Sequence, residues 1–400
     1  DPIDDTYESL IIHRLISDSV ISTVDVPDDA YMTIDQKDVI PVEITALIEA
    51  LDVMGLNTLG DPIDVNDLTV LTLKELHYLG LGTDPINDEY DSLIIHRMVS
   101  DAVVDSLYSG DSLNAPSGVF KTIANEDLEE DEISALIAAM EEMNIDKLGN
   151  SLSINDPSRD QLQNLHYIGL AEDPVDEMYD SLIVHRLISD TIISALDVPD
   201  DAYMTIANED IKVDEISALI EAMDVMGITQ LTAGLTFNDP TVAEIQALHD
   251  LGLNEPVGNV YDSYIVHRLL SNAIDTALDV PTEAYMVGST VDIKPTEISH
   301  IILSMNTLGV TNVSEIVTEL TPTKLKQLYN DDPTSIDILV EPPSGPNVII
   351  YYMTSDVIDP SNNIYDTIDP MNADDYYVMD GATRVRLLRT SIADAINALP

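Results

Sequence analysis

Apolar positions along the chain fall into helical stripes separated by turn-forming links. In Tyr7–Val24, YESLIIHRLISDSVISTV, the residues Ile12, Leu15, Ile16, Val20 and Val24 keep the spacing that lines one side of a helix. The phrase returns at Tyr90, Tyr179 and Tyr261, each time with a His-Arg pair at its centre. Helix is the predicted state, although the β-branched run LIIHRLIS would also suit a buried strand. In the Tyr179 copy, Asp180 or Ser181 is placed to cap the first amides. A second striped segment occupies Val42–Leu56, Asp131–Ile145, Asp214–Ile228 and Thr296–Val310, with Ile216, Leu219, Ile220, Met223 and Met226 marking the face in one copy. Gly55, Gly227 and Gly309 stand where such a helix would stop, and Asn144 takes that place in the remaining copy. A third, shorter stripe closes the series at Leu71–Leu81, Asp160–Leu170, Val242–Leu253 and Thr321–Asp331. Its leading NDP or TP predicts a cap followed by proline in the first helical turn.

Between the first and second stripes lies DVPDDAYMTI, at Asp25–Ile34 and Asp197–Ile206, with DVPTEAYMV at Asp279–Val287. Its proline and paired acids predict a turn into a short extended segment. Ser109–Ile123 is a longer replacement, so an insertion is accepted there, as in a surface loop. The landmarks define units 1–83, 84–172, 173–254, 255–331 and a divergent 332–400, whose starts are spaced by 83, 89, 82 and 77 residues. Such spacing fits small helical domains or long solenoid coils. In the last unit Tyr351-Tyr352 replaces His-Arg, and proline-punctuated sequence around it suggests some β-structure. Arg384–Leu399 reads as a helix in the second-stripe place. The expected fold is therefore mainly α: tandem helical repeats of about three helices per unit in an extended array, the last unit partly β.

Charge changes the picture. Of 400 residues, 74 are Asp or Glu against 16 Lys or Arg, for a formal charge of −58, while 45% are hydrophobic. The apolar content suffices for a core, but the folded chain repels itself, which calls for salt, divalent ions or a basic partner. The same charge repels phosphate backbones and anionic headgroups, so neither nucleic acid nor a membrane surface is an expected partner. No apolar run reaches the ~20 residues of a membrane span. There is no cysteine, hence no disulfide and no thiolate metal site. The start at Asp1, without Met or a leader, reads as a mature form or a piece of something longer.

Candidate chemistry centres on the His-Arg pairs. Arg14, Arg97 and Arg186 are each followed four residues later by Asp18, Asp101 and Asp190, and Arg268 by Asn272, so local ion pairs along the helix are predicted. A pair repeated fourfold, without a nucleophile beside it, points to a structural role. His77, His166 and His249 recur in the closing stripe, but Tyr329 in the fourth copy and the lack of a second ligand argue against zinc. Phosphate loops, GxSxG and HExxH are all missing, so catalytic residues and organic cofactors are expected to be none. Calcium is the remaining candidate. An EF-hand ending at Glu215 would place Met204 and Ile206 at oxygen-ligand positions, so that loop is rejected. A different site using Asp200, Asp201, Asn208 and Asp210 with backbone carbonyls stands beside the plainer reading of a solvated acidic loop.

The succession SLIVHRLISDTI, VPDDAYMT and VDEISALIEAMDVMGI, drawn from Ser181–Ile228, resembles tandem units of very large surface-repeat proteins of wall-less and related low-GC bacteria. The resemblance implies a secreted, non-enzymatic coat, stalk or adhesive fibre. Those proteins are usually rich in Lys and Asn, whereas this chain has eight Lys. The expectation is an extracellular or cell-surface rod, fibre or layer, cation-stabilised, self-associating head to tail or with longer copies of the same chain. Arg384, Arg386 and Arg389, three of the eight arginines, are the predicted assembly contact. The alternative is an intracellular acidic scaffold of a halophile that binds a protein partner.

Overall fold

The computed structural model describes residues 10–32, 38–59, 68–81, 92–108, 116–120, 127–149, 154, 156–170, 181–204, 210–231, 239–252, 263–278, 280, 284–317, 376–380 and 383–387. Among these the protein is mainly α. Its helices are α1 (Leu10–Ile21), α2 (Pro41–Val53), α3 (Val70–Leu81), α4 (Leu93–Tyr108), α5 (Glu130–Glu142), α6 (Arg159–Gly169), α7 (Leu182–Ala195), α8 (Val213–Val225), α9 (Val242–Gly252), α10 (Tyr264–Ala277) and α11 (Pro295–Leu308). One antiparallel hairpin, β1 (Tyr376–Asp380) with β2 (Thr383–Leu387), completes the set.

The four His-Arg stretches are helices α1, α4, α7 and α10 despite their β-branched content. Each starts at a serine in the later copies: Ser92, Ser181 and Ser263 accept the amides of Ile95, Val184 and Val266 at 3.1–3.2 Å, meeting donors that have no partner inside the helix. The second helices α2 and α11 begin with Pro41 and Pro295, where proline lacks only an amide that would go unpaired anyway. The second helices α2, α8, α11 and α5 stop at a left-handed residue, φ +69° at Gly55, +64° at Gly227, +63° at Gly309 and +53° at Asn144 respectively. The closing helices differ from expectation at their starts. Ser158 caps α6 in a reciprocal box with Gln161, and Thr241 pairs likewise with Glu244, so Pro157 and Pro240 precede the cap instead of filling the first turn. A hydroxyl at the cap satisfies a first-turn amide, which a proline ring cannot do.

The DVP link forms a single 3₁₀ turn, Asp28–Ala30 and Asp200–Ala202, before the chain pairs briefly with itself. Isolated antiparallel bridges join Tyr31 to Val39, Phe120 to Leu128, Tyr203 to Ile211 and Tyr285 to Ile293. Within Ser109–Ile123, Phe120 thus takes the bridge place held elsewhere by Tyr31, Tyr203 and Tyr285.

The chain divides into two compact units, Asp1–Ser194 and Ala195–Pro400. In the first, α2 and α3 pack together and both pack on α4, while α3 also meets α5, and α5 meets α6. Its core includes Leu47, Leu73, Ile94, Ile95, Leu128, Ile133, Leu136 and Met140. In the second, α8 and α9 pack together and on α10, and α9 also meets α11, around Ile245, Leu248, Leu270, Ile274, Ile298 and Met305. The two units use one packing order. Their border lies inside the sequence unit 173–254, at the end of α7, because α7 is anchored on elements that precede it in the chain.

The helix expected over Arg384–Leu399 is not formed at its start: Thr383–Leu387 is strand β2, with Arg384 opposite Met379 and Arg386 opposite Tyr377. The sequence TRVRL alternates with the two-residue period of a strand, and tyrosine- and valine-rich β1 is its partner. Arg389, the first-stripe place of the last unit and the fourth closing stripe lie outside the described residues. Among the described residues no helix is long and apolar enough to cross a membrane.

Candidate functional site

The His-Arg helices carry three polar junctions, which recur from copy to copy. The first is an arginine fork. Arg97 donates from Nε to Asp127 Oδ1 at 2.5 Å and from Nη2 to Asp127 Oδ2 at 2.9 Å, and its Nη1 reaches Asp25 Oδ2 at 2.6 Å. Arg268 repeats this on Asp292, at 2.5 and 2.9 Å, with Asp197 at 2.6 Å. Arg14 holds Asp38 through two bonds of 2.6 Å. Bidentate pairing raises the pKa of Arg97 and Arg268 above the ordinary guanidinium value, the hydrogen bonds to Asp127 and Asp292 being the leading cause. At Asp292 burial pushes the carboxyl up, but the bonds and charge of Arg268, helped by the Ser289 hydroxyl, outweigh it and leave the group below its usual range.

These partners are 24 to 72 residues from the arginine, not four. Asp18 and Asp190, the predicted local partners of Arg14 and Arg186, are exposed on their helices. Asp101 shows why the local pairing with Arg97 does not lead. Although Asp101 is itself exposed, crowding around its carboxyl raises its pKa to about 6 against the pull of Arg97, and the nearby carboxylates of Asp25, Asp105 and Asp127 push it the same way. Sequence reasoning missed Asp25, Asp38, Asp127, Asp197 and Asp292. A signal was present: an aspartate stands immediately before the apolar bridge residue in Asp38-Val39, Asp127-Leu128, Asp210-Ile211 and Asp292-Ile293.

The second junction joins histidine and serine to the incoming bridge strand. Ser17, Ser100 and Ser271 accept the amides of Val39, Leu128 and Ile293 at 3.1 Å, and His96 and His267 place Nε2 at 2.8 and 2.7 Å from the carbonyls of Leu128 and Ile293. A carbonyl can only accept, so these rings carry their proton on Nε2. Burial holds His267 near a pKa of about 4, against the opposing pull of Asp292 and the Ile293 carbonyl. In the closing helices, His77 and His249 set Nε2 2.8 Å from the hydroxyls of Ser134 and Ser299, while their buried Nδ1 atoms have no hydrogen-bond partner among the described residues.

The third junction is a glutamate that caps another helix. Glu43 receives the Ser92 hydroxyl at 2.6 Å and the amides of Leu93 and Ile94 at 2.9 and 3.1 Å. Glu132 does the same for Ser181, Leu182 and Ile183 at 2.6, 2.8 and 3.0 Å, and Glu215 for Ser263, Tyr264 and Ile265 at 2.6, 2.8 and 3.0 Å. The negative charge sits at the positive end of the helix dipole. Burial raises the carboxyls of Glu132 and Glu215, opposed by the serine hydroxyl and the two amides. The closing helix passes close to the backbone at this point, at distances where a Cβ would make ordinary van der Waals contact. A Cβ on Gly80 would stand 3.4 Å from the His96 nitrogen, and one on Gly169 3.5 Å from that of His185.

The predicted calcium residues are not brought into one cluster among the described residues, where no group of three or more His, Asp or Glu side chains is placed to hold a metal. Asp200 and Asp201 open a 3₁₀ turn, and the Asp201 carbonyl receives Lys212 Nζ at 2.6 Å. Asp210 stands at the place where Asp38, Asp127 and Asp292 take arginine, and Asn208 lies outside the described residues. Each of the three junctions fixes one backbone segment against another. Compared with known proteins, the chain matches no family model, no curated protein and no solved structure.

Proposed function

We propose that the chain is a non-enzymatic, highly acidic tandem-repeat structural protein forming an extracellular rod, fibre or surface layer. The observation that carries this reading is the threefold glutamate junction, whose partners Glu43–Ser92, Glu132–Ser181 and Glu215–Ser263 are 49, 49 and 48 residues apart. Each one ties a sequence unit to its successor. Units joined in this way gain stability from nearest neighbours, which suits an array lengthened by repetition. Buried polar side chains in the junctions are spent on backbone amides and carbonyls, a use that supports packing more than turnover. The resemblance of the units to bacterial surface repeats supports a location outside the cell, and the acidic surface makes cations the natural stabilisers.

Head-to-tail contact between copies would be heterologous and would generate an open filament. Arg384, Arg386 and Arg389 are its proposed basic contact with an acidic neighbour. Electron microscopy of the purified chain tests the reading: rods that join into filaments are expected, and replacing all three arginines with Glu should leave rods without filaments. Compact particles that never associate would count against the fibre.

A further inference from the structure

The face of α1 in the first unit is unlike that of its counterparts. Leu10, Ile11, Ile12, Leu15 and Ile16 are 71, 75, 59, 64 and 41% exposed. The equivalents of Ile11, Ile12 and Ile16 on α4, Ile94, Ile95 and Val99, are 0, 0 and 1% exposed, covered by α2 and α3, and those on α10, Ile265, Val266 and Leu270, are covered by α8 and α9, while the equivalents of Leu10 and Leu15 are half-buried. The exposed area continues onto α2. Ile48 is 63% exposed, whereas Ile137 and Ile302, its equivalents on α5 and α11, are each 5% exposed in helices that meet α3 and α9. Beside it Thr45 is exposed, with its hydroxyl turned back to the Pro41 carbonyl at 3.1 Å. Ser134 and Ser299 stand at this place in the later copies, and each meets a histidine of the closing helix before it.

We infer that Leu10–Ile16 with Thr45 and Ile48 forms a docking surface for a helix pair of the same type as α2–α3. The occupant is a further unit of this sequence kind placed ahead of α1, as α2–α3 is placed ahead of α4. It brings apolar side chains to the α1 face, a glutamate to the α1 N-terminus and a histidine to Thr45. The chemistry is set by continuity, since α4 and α10 receive both a carboxylate on their first amides and an apolar cover from a preceding helix pair. On the order of five large side chains leave water, which favours the docked arrangement in proportion to the apolar surface covered. The inference rests on the repeat reading above.

The test is the full chain extended at its start by a second copy of residues 173–254, followed by hydrogen exchange. Amides of Leu10–Ile16 should exchange at least about tenfold more slowly in the extended chain. Protection should vanish when the added copy carries Glu215→Ala, and when α1 carries Ile12→Asp with Ile16→Asp. Those two positions are exposed in the unextended chain, so its circular dichroism should not change. A folded added unit that leaves Leu10–Ile16 unprotected overturns the docking alone. An added unit that contributes no helix overturns the repeat reading beneath it. A concentration-dependent dimer of the unextended chain with α1 already protected would assign the face to a second copy and overturn the proposed occupant.

Discussion

Two aspartates hold Arg97, and they are not equivalent. The Asp127 side chain is 18% exposed and takes both arms of the fork, while that of Asp25 is 68% exposed and takes one. Removing Asp127 leaves a guanidinium that is 8% exposed short of its main counter-ion, whereas water can replace Asp25. Asp127→Ala should therefore cost about 3 kcal/mol in urea unfolding and Asp25→Ala less than about 1 kcal/mol. Equal losses would show that exposure does not set the worth of these pairs. The buried histidines give a second residue-level test. Burial lowers His77, His166 and His267 from 6.5 to about 4, so the unfolded chain binds protons that the folded one refuses. Their contribution is complete above pH 6.5 and is lost as pH falls towards 4, at up to about 3 kcal/mol each. The raised carboxyls of Asp101, Glu132 and Glu215 act in the opposite sense, favouring the folded state as pH falls. Unfolding followed between pH 7 and 4 should show a net decline, made shallower by His267→Gln; an unchanged slope in that variant would remove His267 from the account.

At the scale of elements, a helix start is finished by a side chain from elsewhere. Glu132 meets three donors at the beginning of α7, and Glu132→Ala strands the Ser181 hydroxyl and the amides of Leu182 and Ile183 in a site closed to water. The expected loss is roughly 2–4 kcal/mol, with Glu132→Gln less severe because one acceptor oxygen remains. Exchange of the α7 first-turn amides should accelerate in step with that loss; unchanged exchange would mean Ser181 caps the helix unaided. The periodicity already located α1 to α11, and the glycine or asparagine stops of α2, α5, α8 and α11. It missed the caps of α6 and α9 and mistook β2 for helix, because short elements are decided by hydroxyl donors and strand partners that a stripe does not encode.

At the scale of the whole molecule, 58 excess negative charges must be kept together. Salt shortens the reach of their repulsion, to roughly 8 Å at physiological strength and 3 Å at 1 M. The melting temperature should therefore rise with sodium chloride, and the form of the rise separates two readings. Marked stabilisation by millimolar calcium at low salt would favour the extracellular fibre, while a need for molar salt with no calcium effect would favour the halophile scaffold. By itself the sequence determined the mainly helical class, the spacing of the recurring landmarks, the stops of the second helices and the acidic surface, because these depend on local periodicity, backbone freedom and composition. Only the tertiary structure decided which aspartates hold Arg14, Arg97 and Arg268, which glutamates cap α4, α7 and α10, and why α1 is bare where α4 is covered. Those choices join residues up to 72 positions apart, and they are made by which surfaces the fold removes from water.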